Sequence, residues 1–66
     1  MPLTSREIDV LRLLGRGCRY AEIAKQLGIT KNTVASYMKS AYRKLNVRSG
    51  PAAVMRTVEL RLFGQT

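Results

Sequence analysis

Two residues, Gly28 and Ile29, separate an apolar-patterned run ending at Leu27 from a fresh helix start at Thr30. No other feature of the chain restricts its fold so tightly. Upstream, Ile23, Ala24 and Leu27 recur on one stripe of a short helix expected over residues 20–27. Gly28 fits the left-handed residue that stops such a helix. Thr30 then serves as a new N-cap, with Ile29 before it and Val34 after it at the spacing of a hydrophobic staple. Helices joined by so short a glycine-containing turn must cross steeply, which is the helix-turn-helix arrangement.

Similar punctuation places two more helices. In "LTSRE", Thr4 is an N-cap and Glu7 stands three residues on, at capping-box spacing. Ile8, Val10, Leu11, Leu13 and Leu14 follow with helical period until Gly15 and Gly17, so a first helix is expected over 5–15. Arg19 sits at the N-cap position of the second helix and leaves its start poorly capped. The third helix is expected over 31–45. "NVR" links it to a fourth over 50–62, capped by Ser49 with Pro51 in its first turn. No segment alternates like a strand, and a chain of 66 residues holds one domain at most. The expected fold is therefore all-α, a compact four-helix bundle spanning residues 1–66 with a central helix-turn-helix.

Charge narrows the function. Twelve Lys and Arg face four Asp and Glu, a net charge of +8, and no acidic residue falls between Glu22 and Glu59. Solubility alone is usually reached with mixed signs, whereas a field this positive favours nucleic acid or an anionic surface. Directions taken at about 100° per residue put Met38, Ala41 and Leu45 within roughly 40° of Val34, and Tyr37 about 60° to the other side. Asn32, Ser36, Lys39 and Arg43 cluster opposite, with Ala35 and Ser40 at the edges and no carboxylate among them. Small Ala35 and Ser36 allow close approach to base edges, and the Ala35 methyl matches a thymine methyl. Lys39 reaches guanine acceptors or the backbone, and Asn32 an adenine edge or a phosphate. Arg43, Lys44 and Arg48 lie further along, where phosphates are the expected contacts. The start of the third helix adds unpaired backbone N–H groups suited to a phosphate.

The stretches "LTSREIDVLRLLGRG", "EIAKQLGIT", "NTV" and "YRKLNV" together resemble the LuxR/FixJ-type helix-turn-helix domain that ends many bacterial response regulators and quorum-sensing regulators. The resemblance covers roughly Leu3 to Phe63. It implies a DNA-binding domain of a transcription regulator, with the third helix in the major groove and the fourth packed behind it, often mediating dimer contacts. By position, it places base reading on Ala35, Ser36 and Lys39. It places backbone contacts on Arg19, Tyr20, Lys31, Asn32, Thr33, Tyr42 and Arg43. The chain departs from the family pattern at Ala35 for a usual lysine, Tyr37 for a histidine, Arg19 for a capping serine or threonine, and Gly50 for an arginine.

Val54, Met55, Val58 and Leu62 divide between core and a dimer face on the fourth helix. The lone Cys18 cannot form an intrachain disulfide and reads as a packing residue in a reduced, cytoplasmic protein. With no His, no metal-ligand cluster and no phosphate loop, the chain is not expected to be an enzyme or to hold a metal or cofactor. The partners expected are double-stranded DNA, a second copy on DNA, and an upstream sensing or receiver domain, with no membrane. Two other readings stand beside this one: a sigma-factor-like promoter-recognition domain, and a protein-binding adaptor on the same fold. The fourth helix argues against the first, since that kind of domain usually ends with its recognition helix.

Overall fold

The computed structural model describes residues 2–63. It contains α1 (Ser5–Gly15), α2 (Tyr20–Leu27), α3 (Lys31–Leu45) and α4 (Gly50–Glu59), and no strand among the described residues. The capping box at α1 is complete. Thr4 Oγ1 accepts from the Glu7 amide at 3.2 Å, and the Thr4 amide donates to Glu7 Oε1 at 2.8 Å. Thr30 and Ser49 cap α3 and α4 in the same sense, accepting from the Thr33 and Ala52 amides at 3.1 and 3.2 Å. The start of α2 is better satisfied than Arg19 suggests. Glu22 reaches back and accepts from the Arg19 amide at 2.7 Å.

The fourth helix is shorter than expected. It ends at Glu59, Arg61 takes a left-handed conformation with φ 57°, and the Leu62 amide turns back onto the Thr57 carbonyl at 3.0 Å. Leu62 is thereby folded against the core and does not extend the outer face of α4.

Nine apolar residues form the core: Val10 and Leu11 from α1, Ile23 and Ala24 from α2, Val34, Met38, Ala41 and Leu45 from α3, and Ala53 from α4. The largest share comes from α3, which packs against each of the other three helices. Thr57 is fully buried beside Ala53, and its hydroxyl is satisfied by donating to the Ala53 carbonyl at 2.7 Å. One face of α3 is thus held from three sides, which fixes the direction of the other.

Candidate nucleic-acid interface

The turn between α2 and α3 has the conformation its glycine requires. Gly28 lies at φ 69°, ψ 34°, and the next amide, that of Ile29, bonds back to the Ala24 carbonyl at 3.0 Å. A side chain at this backbone conformation is disfavoured by its Cβ. Ile29 then packs against the core, which pins the start of α3 to the body of the protein.

From there α3 divides as its periodicity predicts. Val34, Met38, Ala41 and Leu45 are buried and Tyr37 is half-buried, while Lys31, Asn32, Ala35, Ser36, Lys39 and Arg43 are exposed. Asn32, Ser36, Lys39 and Arg43 run along three turns of one face, spanning about 16 Å at the helical rise. Ser40 is half-buried at the margin. Among the described residues, the ion pairs are Arg6 with Asp9, Lys44 with Glu7 and Arg56 with Glu59. None involves the exposed face of α3, so its cations face solvent unneutralised. At the helix start, Thr30 occupies the Thr33 amide and its hydroxyl lies 2.9 Å from that of Thr33. The amides of Lys31 and Asn32 have no acceptor among the described residues.

Flanking residues divide into two groups. Arg19 at the start of α2 and Arg48 between α3 and α4 are exposed. Tyr20 and Tyr42 are half-buried and pack against the core. Burial, and then the neighbouring Tyr20, push the Tyr42 phenol above its ordinary 10.0. It therefore remains a protonated hydrogen-bond donor at neutral pH. A Cβ on Gly50 would lie 3.5 Å from that hydroxyl and 3.0 Å from Leu14 Cδ2, so the missing side chain lets the start of α4 sit close to both.

Lys44 is a correction. Expected at a phosphate, its Nζ instead donates to Glu7 Oε1 at 2.8 Å, and the two side chains are only 11% and 4% exposed. Burial alone would raise the Glu7 carboxyl. Hydrogen bonds from the Lys44 side chain, the Ser40 side chain and the Thr4 backbone, together with the Lys44 charge, outweigh burial and lower it from 4.5 to about 2. The pair ties α1 to α3 and removes one cation from the candidate surface. Only its inward direction was legible: on the same wheel Lys44 falls close to Tyr37, on the inner side of α3, while its partner was not.

On α4, Met55 and Val58 are 59% and 52% exposed, and Val54 is half-buried. No helix among the described residues is long and apolar enough to cross a membrane.

The family model for bacterial regulatory proteins, luxR family, matches residues 1–57. The response regulator RamR of Streptomyces coelicolor is 44% identical over 54 residues, 82% of this chain and 27% of its own length. The nitrate/nitrite response regulator protein NarP of Escherichia coli is 42% identical over 59 residues, 89% of this chain and 27% of its own. The chain therefore spans about a quarter of the length of these curated relatives. Among solved structures, the transcription factor GerE superposes with a TM-score of 0.84 at 31% identity, covering 88% of this chain and 87% of that one. The response regulator ChrA of a heme-sensing two-component system superposes with a TM-score of 0.89 at 32% identity, covering 94% of this chain and 31% of that one.

Proposed function

Because this chain belongs to the luxR family of bacterial regulatory proteins, we propose that it binds double-stranded DNA sequence-specifically within a transcription regulator, with α3 in the major groove. The observation that carries this reading is the exposed, carboxylate-free face of α3, presented behind the Gly28 turn. A major groove about 12 Å wide admits a helix, and small residues at its point of entry let the backbone come close. Lys39, Ser36 and Ala35 then meet base edges. Lys31, Asn32, Thr33 and the open amides at the start of α3 take a phosphate. Arg19, Tyr20, Tyr42, Arg43 and Arg48 hold the remaining backbone, and Lys44 leaves that set for its pairing with Glu7.

Two copies occupy half-sites about one helical turn apart and meet through the Met55 side of α4. Such a regulator works in the cytoplasm, where the DNA is. The short span of the match within RamR and NarP supports a further sensing or receiver part in the same regulator.

Binding to duplexes carrying every single-base variant of a site selected from random sequence tests the reading. Lys39→Ala should lose about 1–3 kcal/mol on the preferred site and relax preference at one position. Arg43→Ala should weaken all sequences alike and flatten the salt dependence by about one unit of slope. An unaltered base preference in the first variant, or an unaltered slope in the second, would remove that residue from its assigned role.

A further inference from the structure

Away from the face of α3, α1 and α4 leave a groove of about 300 Å³ between them, lined by Arg12, Gly15, Arg16, Val54, Val58 and Phe63. Gly15 carries no side chain to fill it, and a Cβ there would come within 3.1 Å of Val54 Cγ1. Arg12 is held at its margin. Its Nη2 donates to the Phe63 carbonyl at 2.8 Å, and the guanidinium lies 5.7 Å from the centre of the Phe63 ring. That single hydrogen bond leaves most of the guanidinium's donors free. Arg16 is exposed, and neither arginine has a carboxylate partner among the described residues. The groove thus combines exposed aliphatic surface with two uncompensated cations.

We propose that this groove seats an acidic segment of another protein, one that carries apolar side chains at helical spacing. Val54 and Val58 offer an aliphatic strip of the kind that receives the apolar face of an amphipathic helix. Arg12 and Arg16 select for carboxylates beside that face, since guanidinium and carboxylate pair bidentately. A second copy is a poorer occupant. A two-fold contact across the groove would bring the same arginines of two chains, each of net charge +8, toward one another. Duplex DNA gains nothing from the aliphatic strip. The groove contains no residue of α3, so engaging α3 does not itself fill it. Val58 and Met55 stand three residues apart on one side of α4, so an occupant of the groove abuts the ridge proposed for pairing and the two compete.

The test is amide NMR of the chain, free and bound to duplex DNA, titrated with a synthetic amphipathic peptide bearing leucines on one face and glutamates elsewhere. A second peptide has every glutamate replaced by lysine. The expected result is saturable shifts at Gly15, Arg16, Val54 and Val58 with the acidic peptide only, in both the free chain and the chain bound to a duplex with a single half-site. Arg16→Glu should raise the Kd about fivefold or more, and Arg16→Gln by less. Val58→Asp should abolish the shifts while the spectrum keeps its dispersion. Equal binding by the lysine peptide, or shifts at Asn32, Ser36 and Lys39 instead, would overturn the proposal. So would the absence of saturable shifts. Movement of the groove amides on diluting the chain without peptide would also overturn it, by assigning the groove to a second copy. The outcomes in the free chain do not depend on whether α3 reads DNA, which the DNA titration reports separately.

Discussion

Glu7 does two jobs with one carboxylate. Its Oε1 closes the capping box on the Thr4 amide and also receives Lys44 from α3, each at 2.8 Å. Its pKa in the folded protein is about 2 against an ordinary 4.5, so the folded state binds its proton more weakly than the unfolded chain does. The resulting stability is fully present above about pH 4.5 and is lost as the pH falls toward 2. The shift corresponds to about 3 kcal/mol. Urea denaturation of Glu7→Gln should therefore show a loss of about 2–3 kcal/mol at pH 7, and the gap from the parent should close progressively between pH 4.5 and 2. A gap independent of pH would mean that the pair contributes through packing alone. Lys44→Ala belongs to the same experiment. It should lower stability, whereas Arg43→Ala should leave stability unchanged and affect only DNA.

The helices share one way of ending. Gly17, Gly28, Asn46 and Arg61 all have positive φ, at 93°, 69°, 57° and 57°. The residue after each, Cys18, Ile29, Val47 and Leu62, donates its amide to the carbonyl five residues back at 3.0–3.1 Å. Each of these four is a half-buried residue packed against the core, so every helix stops by folding an apolar side chain inward. This gives Cys18 a packing role. Glycine takes such a backbone freely, and asparagine tolerates it, but arginine is strained there by its Cβ. Arg61→Gly is expected to stabilise by about 1 kcal/mol, raising Tm by roughly 4–8 °C in a domain of this size. Asn46→Ala should cost about 1 kcal/mol and Asn46→Gly almost nothing. Thermal melts of the three variants check the set, and equal Tm values for the two Asn46 variants would contradict it.

The whole molecule is small, 27 Å in its longest dimension. Half-sites one helical turn apart lie about 34 Å between centres, so two copies so placed touch only along an edge. An edge offering Met55 at 59% exposure suits a contact that forms on DNA and adds modest coupling. Met55→Asp should leave affinity for an isolated half-site unchanged and lower affinity for the paired site about tenfold. Gel-shift titrations on single and paired sites measure both. Equal losses on the two duplexes would show that Met55 acts on folding or on DNA contact, not on pairing.

The sequence alone was enough for the fold class, the helix-turn-helix and the two faces of α3. These depend on local information: period, caps and a glycine whose backbone conformation few other residues accept. Ser36 and Lys39 point outward because Val34 and Met38 point inward on the same rigid helix. Tertiary structure alone decided what distant residues do to one another. Lys44 is spent on Glu7, 37 positions earlier in the chain. Leu62 turns inward because Arg61 reverses the backbone, and the α1–α4 groove exists only where two helices fail to fill the space between them. An ion pair, a chain reversal and a groove depend on how elements meet, and periodicity within one element carries no record of that meeting.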